Sequence, residues 1–284
     1  MMLAKKDLKF ENDISKLTAE VYDRIANEYE EHTSCRYLGI VQWNPIEFIF
    51  RDLSKPNQKD KKILLIGPGT GKDHSQQLND FCNSINTKNV TLFDISSNML
   101  RKASKYFRGA STVLGDASYL GDYFSDESFD FVLAFLCDHI ADQDGFFKGA
   151  YKILKKHGVL MTTYPGKEIQ HAIRKFIYKT DVNLTRFYID GKEYFLPSKL
   201  YSLKELYKLY KKHGFVDIST SGWSGDDRDD GYIDTKASPT ILKACKIIGK
   251  CTKIVNLVTM GIGAKEGILF KPDYKDFSRF QHAC

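Results

Sequence analysis

A short apolar run that leads directly into alternating glycines constrains this chain more than any other stretch. Ile63–Ile66 is too short for a helix, and Gly67, Gly69 and Gly71 follow it at once. An apolar run of this length bounded by glycines is typical of a buried parallel strand. Glycine tolerates positive φ and lets a ligand lie against bare backbone. The stretch therefore predicts a strand that turns sharply into a ligand-binding loop.

The residues after this loop favour a helix. Residues 72–85 carry apolar side chains at helical spacing, so we expect the loop to open onto a helix N-terminus. The free N–H groups and the positive dipole end of such a helix favour a carboxylate or a phosphate. A glycine loop alone is weak evidence, because several nucleotide-binding folds and ordinary turns also use glycine.

A second strand that ends in a carboxylate makes the signal specific. Val90–Asp94 is predicted to be a strand, and Asp94 holds the position from which an acidic side chain binds the two hydroxyls of a ribose. The chain continues through Ile95 into a capped helix that is predicted to bury Met99. Loop, strand and helix together predict a site for a ribose-containing cofactor.

These two blocks resemble the class I S-adenosylmethionine-dependent methyltransferases. That family carries Gly-x-Gly-x-Gly, then a strand ending in Asp, then Ser-x-x-Met-Leu-x-x-Ala. The resemblance covers about residues 22–271. It implies an α/β fold: a Rossmann-like, seven-stranded, mostly parallel sheet with helices on both faces, an N-terminal helical lid and an inserted cap. It also implies S-adenosylmethionine as cofactor and S-adenosylhomocysteine as product.

The resemblance assigns the cofactor-binding residues. They are Gly67, Gly69, Gly71, Asp94, Ile95, Met99, Asp116, Ala117 and Phe135. The glycines are expected near the methionine end of the cofactor, Asp94 on the ribose and Asp116 on the adenine amine. For both aspartates the alternative is ordinary turn chemistry, because Asp commonly caps turns.

Strands and helices continue to alternate along the chain. The pattern predicts strands at 112–117, which ends in Gly-Asp-Ala, 128–135, 158–164, 215–219 and 264–270, and helices at 144–156 and 203–213. Such alternation indicates right-handed crossovers and a parallel sheet, with the final strand antiparallel by the family resemblance. In these sheets ligands bind at the carboxyl ends of the strands, where the polar residues fall.

The remaining segments are predicted to surround the site. Residues 1–60 are predicted to be the helical lid and connector, and residues 61–284 the methyltransferase core. Cap insertions are expected at about 167–201, with a hairpin across Asp-Gly, and at about 222–263, with a helix over 238–260. Tyr22 and Tyr29 have the spacing of the family's lid helix. A simple amphipathic helix packed on the sheet is the alternative.

Candidate catalytic residues follow the fourth strand. His139 is the predicted general base, because an unperturbed imidazole titrates near neutrality, and Asp138 would orient it or bind a cationic acceptor. Tyr164 is predicted to line the acceptor pocket together with Tyr22 and Tyr29. Packing and capping roles are the alternatives for all of these side chains.

The predicted activity is methyl transfer to an O, N or C atom of a small-molecule metabolite, as in biosynthesis. One departure from the family leaves other functions open: Leu65 stands where a carboxylate usually helps to hold the methionine amine. The alternatives are non-methyl chemistry of S-adenosylmethionine, such as intramolecular cyclisation, and a non-catalytic cofactor-binding scaffold. A nicotinamide oxidoreductase would need its third glycine one place later.

Composition and charge narrow the classes of partner that the sequence predicts. The formal net charge is +6, without a tract of five or more Lys or Arg, and the fourth strand lacks the proline pair of base methyltransferases. We therefore expect no nucleic acid and no membrane surface as partner, with a homodimer possible in principle. Six scattered cysteines without metal spacing predict no metal and a cytoplasmic protein. Residues 1–13 are charged and predict no signal peptide.

Overall fold

The fold is an α/β sheet structure, seen in a computed structural model that describes residues 13–29, 60–71, 87–223 and 258–266. The strands are β1 Ile63–Ile66, β2 Val90–Asp94, β3 Ser111–Leu114, β4 Phe129–Ala134, β5 Leu154–Pro165, β6 Leu184–Ile189, β7 Lys192–Pro197, β8 Val216–Trp223 and β9 Val258–Ala264. The helices are α1 Asp13–Ile25, α2 Ser97–Tyr106, α3 Leu120–Tyr123, α4 Gln143–Ile153, α5 Lys167–Ala172 and α6 Leu203–Lys212.

The large sheet has the predicted Rossmann-like topology. Its seven strands lie in the order β3-β2-β1-β4-β5-β9-β8. Strands β1 to β5 pair in parallel, while β9 is antiparallel to both β5 and β8. The strand order reverses between β1 and β4, so a crevice is expected outside the carboxyl ends of these two strands.

The central strand β1 explains why the sequence is so uniformly apolar there. Ile63 and Leu65 belong to the apolar cluster on one face of the sheet, and Leu64 and Ile66 belong to the cluster on the other. All four side chains are buried because helices cover both faces. The carboxyl end of β1 is thereby fixed, and the glycine loop with it.

The predicted hairpin is present as β6 and β7, a separate two-stranded sheet. Asp190 and Gly191 both have positive φ, 50° and 75°, as a tight two-residue turn requires. The hairpin does not project into solvent along its whole length. Ile189 and Leu196 pack with Val21 of α1, so the N-terminal helix and the hairpin share one apolar cluster.

Two predicted boundaries are wrong. The helix predicted at 144–156 ends at Ile153, and β5 begins immediately at Leu154. The last strand is β9 at Val258–Ala264, not 264–270, and the helix predicted over 238–260 therefore cannot reach 260. Since β8 extends to Trp223, any second insertion lies within 224–257, outside the described residues.

Packing explains the misplaced last strand. Gly261 and Gly263 lower the strand propensity of β9, yet the segment is held between β5 and β8 along its length. The predicted helix at 72–85 lies outside the described residues. In the described part of the chain, no helix is long and apolar enough to cross a membrane.

Candidate cofactor and acceptor site

The glycine loop adopts a conformation that other residues rarely take. Gly67, Gly69 and Gly71 have φ values of 64°, 57° and 77°. A Cβ on Gly67 would lie 3.4 Å from the carbonyl oxygen of Phe135, and one on Gly69 would lie 3.5 Å from the ring of Tyr29. The loop therefore runs between the end of β4 and the N-terminal segment that contains Tyr29.

Asp94 lies at the carboxyl end of β2, as predicted, and is mostly buried. Its Oδ1 accepts a hydrogen bond of 2.8 Å from the backbone N–H of Ser96. The pKa of Asp94 is raised to about 7, mainly because the carboxyl group is buried; the backbone N–H groups of Ser96 and Ile95 oppose this rise, and the nearby charge of Asp23 adds to it. Ionisation of the Asp94 carboxyl group is therefore unfavourable unless hydrogen-bond donors, such as hydroxyl groups, or positive charges face it.

Asp116 offers an unused acceptor at the carboxyl end of β3. Its Oδ1 accepts a hydrogen bond of 2.9 Å from the backbone N–H of Ser118. Its Oδ2 is buried and has no hydrogen-bond partner among the described residues. A buried carboxylate oxygen without a donor is destabilising, so this atom is suited to a donor on a ligand. The amino group of adenine is such a donor.

The other predicted cofactor residues also lie near the carboxyl ends of the central strands and differ in how deeply they are buried. Ala117 follows Asp116 and is buried, and Phe135 is buried at the end of β4. Ile95 is half-buried after β2. Met99 packs in the cluster shared by α1 and the hairpin. The structure gathers these residues near the carboxyl ends of the central strands.

An acidic residue in α1 that the sequence analysis did not single out ties this helix to the start of α2. Asp23 Oδ1 accepts hydrogen bonds from Ser96 Oγ at 2.6 Å and from the backbone N–H of Asn98 at 2.9 Å. The side chain of Asn98 returns a hydrogen bond of 3.0 Å to the carbonyl of Asp23. These contacts fix α1 beside the turn that carries Asp94.

The predicted aromatic residue Tyr22 stands at the centre of a ring cluster. Its ring centroid lies 6.5 Å from Tyr29, 6.0 Å from His139 and 5.9 Å from Phe187 of β6. Burial holds the pKa of Tyr22 well above its ordinary value, and the charges of Tyr29, Asp138 and Asp94 act in the same direction. Tyr22 is therefore a neutral phenol at physiological pH. Phe187 had no distinguishing sequence signal.

The hydrogen bonds of His139 define which nitrogen carries its proton. The residue ends a short 3₁₀ turn, Cys137–His139, that follows β4. Its Nδ1 lies 2.8 Å from the carbonyl oxygen of Pro197, which can only accept. Nδ1 therefore carries the proton in the neutral ring, and Nε2 presents a lone pair. Nε2 lies 3.5 Å from Oδ2 of Asp138, so the two predicted catalytic residues are adjacent.

Tyr164 is placed differently from the prediction that it lines the acceptor pocket. It is fully buried, belongs to the core cluster beneath the sheet, and donates a hydrogen bond of 2.7 Å to Gln143. Gln143 in turn donates to the carbonyl of Cys137 at 2.8 Å. Tyr164 therefore supports the turn from within the core and is not part of the ring cluster around Tyr22.

In the turn Cys137–His139, the side chains suited to proton transfer or charge stabilisation are those of Asp138 and His139, whereas Cys137 is a packing residue. Burial raises the pKa of the Cys137 thiol, which donates a weak hydrogen bond to the carbonyl of Thr163. This thiol is a packed, protonated group rather than a nucleophile. In the described part of the molecule, no group of three or more His, Cys, Asp or Glu residues could hold a metal ion.

Comparison with known proteins agrees with this geometry. A family model described as methyltransferase domain matches residues 64–162. Phosphoethanolamine N-methyltransferase 2 of Caenorhabditis elegans is 31% identical over 170 residues, which are 58% of this chain and 34% of that protein. The chain therefore spans about a third of the length of this curated relative.

Solved structures share the fold at low identity. One similar chain comes from the complex between the Haloferax volcanii Trm112 methyltransferase activator and the putative methyltransferase. Its TM-score is 0.59 and its sequence identity is 15%, and the match covers 88% of this chain and 97% of that one. A possible histamine N-methyltransferase from Thermotoga maritima has a TM-score of 0.53 and 21% identity, covering 87% and 99%.

A third structure was solved with a product-side ligand. Haemonchus contortus phosphoethanolamine N-methyltransferase 2, in complex with phosphomonomethylethanolamine and S-adenosylhomocysteine, has a TM-score of 0.50 and 19% identity, covering 79% of this chain and 53% of that one. The family match shows a methyltransferase domain over residues 64–162, and the order and direction of the sheet strands agree with the Rossmann-like fold of such domains.

Proposed function

We propose that this protein transfers a methyl group from S-adenosylmethionine to a nitrogen atom of a small amine. The observation that carries the proposal is the His139–Asp138 pair. In the neutral ring of His139, the contact of Nδ1 with Pro197 leaves Nε2 without a proton, beside Asp138. The His139 ring belongs to an aromatic cluster that reaches the glycine loop through Tyr22 and Tyr29. A base, a carboxylate and a cofactor loop thus adjoin one another.

The residues present fit S-adenosylmethionine. The glycine loop would receive its methionine part, Asp94 would accept the two ribose hydroxyls, and the unpartnered Oδ2 of Asp116 would accept the adenine amine. Leu65 is buried in the core, so the methionine amine must be held by another group. When bound, this cofactor supplies an electrophilic methyl group whose leaving group departs as a neutral thioether.

The acceptor amine must lose a proton before it can react. An ammonium nitrogen has no lone pair, and the lone pair of His139 Nε2 can take one of its protons. The nitrogen lone pair freed in this way would be available for the methyl group that the bound cofactor would supply. The carboxylate of Asp138, whose Oδ2 lies 3.5 Å from Nε2, stabilises the positive charge of the imidazolium. The rings of Tyr22 and Phe187 lie 5.9 Å apart, and aromatic ring faces attract a cationic acceptor.

The named relatives support a nitrogen acceptor. Both the curated relative and one of the solved structures are phosphoethanolamine N-methyltransferases, and a second is described as a possible histamine N-methyltransferase. These names specify nitrogen as the methylated atom, and the ligand of one structure, phosphomonomethylethanolamine, is a small amine. The buried carboxylate of Asp138 would attract the positive charge of such an amine, whereas an alcohol acceptor would gain only a hydrogen bond from it.

The test combines binding with turnover. The protein is titrated calorimetrically with S-adenosylhomocysteine and then assayed for methylated product with phosphoethanolamine, ethanolamine and histamine as acceptors. We expect His139→Ala to leave the affinity for S-adenosylhomocysteine unchanged and to lower kcat at least about 100-fold, because the proton has no acceptor. The control is His213→Ala, which removes a similar His–Asp pair with Asp144 on the surface.

Two results would contradict the proposal. If His139→Ala turned over at the rate of the wild type, His139 would not be the base. If S-adenosylmethionine were consumed without any acceptor, the cyclisation alternative would hold. Asp116→Asn tests the cofactor part separately, because its amide N–H₂ would replace an acceptor by a donor. This variant should bind S-adenosylhomocysteine about 10-fold or more weakly and prefer the inosine analogue, whose ring offers an oxygen instead of an amine.

A further inference from the structure

Three consecutive residues at the end of the hairpin strand β7 hold the turn that carries Asp138 and His139. The carbonyl of Pro197 accepts from His139 Nδ1, the hydroxyl of Ser198 lies 2.5 Å from Asp138 Oδ2, and the backbone N–H of Lys199 donates to the Asp138 carbonyl at 2.8 Å. Every one of these contacts reaches the proposed catalytic pair from the inserted segment rather than from the sheet.

A buried arginine stands behind Ser198. Arg174, in the helical turn Ile173–Tyr178 of the same insertion, is 5% exposed. Its Nη1 donates to the carbonyl of Val182 at 2.9 Å, and its Nη2 donates to Thr185 Oγ1 at 2.9 Å and to Ser198 Oγ at 3.1 Å. Burial lowers the pKa of Arg174, and the nearby charges of Asp138 and Asp181 oppose this. The guanidinium and the Asp138 carboxylate are linked through the hydroxyl of Ser198.

The chemistry of the three groups fixes the direction of these hydrogen bonds. A guanidinium can only donate, and an ionised carboxylate can only accept. The hydroxyl of Ser198 has one proton, and it receives the N–H of Arg174, so its own proton must point to Asp138 Oδ2. The result is a directed relay from Arg174 through Ser198 to Asp138, in which the same Oδ2 atom faces His139 Nε2.

We propose that Arg174 and Ser198 are positioning residues for the Asp138–His139 pair. The relay keeps Oδ2 of Asp138 beside Nε2, where the negative charge of the carboxylate stabilises the imidazolium that forms when His139 takes a proton from the acceptor. Without it, the carboxyl group could rotate away or share a proton with the imidazole. The inference rests on the proposed function in one respect only, the role of His139 as base.

Kinetics provide the first test, with phosphoethanolamine, ethanolamine and histamine as probes. We expect Ser198→Ala to lower kcat about 10- to 100-fold while the affinity for S-adenosylhomocysteine stays unchanged. Ser198→Thr, which keeps the hydroxyl, should recover activity to within about 3-fold. Arg174→Gln should resemble Ser198→Ala. The matched control is Arg186→Gln, an exposed arginine of the same hairpin that pairs with Glu193 and should behave as the wild type.

A second measurement keeps the relay testable even if none of these amines is methylated. Protein labelled with ¹⁵N-histidine is titrated by NMR, with the His139 signals assigned by their loss in His139→Ala. The midpoint for His139 should move by about 0.5 pH unit or more in Ser198→Ala and in Arg174→Gln, because Asp138, its facing charge, is displaced. It should not move in Arg186→Gln. Unchanged kcat together with an unchanged midpoint would overturn the proposal, whereas a moved midpoint without turnover would count against the amine acceptor alone.

Discussion

At the scale of single residues, the raised pKa of Asp94 predicts that cofactor binding depends on pH. Burial raises its pKa from 3.8 to about 7, so the folded protein holds this proton more tightly than the unfolded chain does. Because the folded-state pKa is raised, the contribution of Asp94 to stability is most favourable at low pH and is lost as the pH rises from about 4 to about 7. The ionised form, however, is the better acceptor for ribose hydroxyls.

Asp94→Asn should therefore separate stability from binding. Without cofactor, the free energy of unfolding of the wild type relative to the variant should fall by about 1–3 kcal/mol between pH 5 and pH 8. In urea titrations, Asp122→Asn, at an exposed aspartate of α3, should follow the wild type. In calorimetry the wild type should bind S-adenosylhomocysteine about 10-fold more weakly at pH 6 than at pH 8. A variant with the pH dependence of the wild type would show that Asp94 does not titrate in this range.

Residues differ in how far the sequence could reveal them. The positions of Asp94 and Asp116 were predictable because Asp94 ends β2 and Asp116 follows β3 by two residues, and both strands have recognisable patterns. Asp23, Arg174 and Ser198 were not, because their hydrogen-bond partners lie far away in the sequence and only the packed hairpin and α1 bring them near the turn. Periodicity reports which face of an element is buried, not which distant polar group it meets.

At the scale of elements, α1 supplies a second N-terminal cap to α2. Ser96 caps α2 by accepting from the backbone N–H of Met99, and Asp23 accepts from Ser96 and from the backbone N–H of Asn98. Two of the free N–H groups at the start of α2 are thus satisfied by side chains, one of which belongs to another helix. The carboxylate also favours the positive dipole end of α2.

Asp23→Ala should loosen this junction. It removes a cap worth about 1–2 kcal/mol, and we expect the free energy of unfolding in urea to fall by that amount at pH 8. Glu20→Ala is the control, since Glu20 pairs with Arg24 on the exposed side of α1. The same change removes a negative charge near Asp94, so the loss of stability between pH 4 and pH 7 should become shallower. Equal effects of the two substitutions would show that the cap is not stabilising.

Short-range signals made some elements predictable and others not. The hairpin follows from Asp190 and Gly191, whose residue types favour the positive φ of the turn. Helix α6 follows from the capping box of Ser202 and Glu205, which the structure contains in full. Strand β9 has no such signal, because its stability comes from two neighbouring strands distant in the sequence.

At the scale of the whole molecule, one apolar cluster joins the beginning of the chain to the inserted hairpin. Val21 and Ile25 of α1 pack with Ile189 and Leu196, and Met99 of α2 completes the cluster. The elements that approach the site from outside the sheet therefore support one another. Displacing α1 would expose the hairpin and, through Pro197, the ring of His139.

The far side of the sheet depends on a glycine for its packing. Gly263 of β9 faces α6: a Cβ there would lie 2.6 Å from the ring of Tyr210 and 3.0 Å from Cβ of Phe215. Its φ is not in the left-handed region, so the restriction comes from packing alone. Tyr210 is fully buried and its hydroxyl lies 3.1 Å from Thr162 Oγ1 of β5, so the ring has little freedom to withdraw.

Gly263→Ala should therefore destabilise the protein, although alanine suits a strand better than glycine does. We expect the free energy of unfolding in urea to fall by about 1–3 kcal/mol, the cost of overpacking a core. Gly121→Ala is the control, because the closest atom to its added methyl would be the flexible Lys152 side chain at 3.3 Å. A Gly263→Ala protein as stable as the control would mean that α6 shifts on the sheet. The close contact between position 263 and Tyr210 would then not restrict the residue type, and the presence of glycine at position 263 would need another explanation.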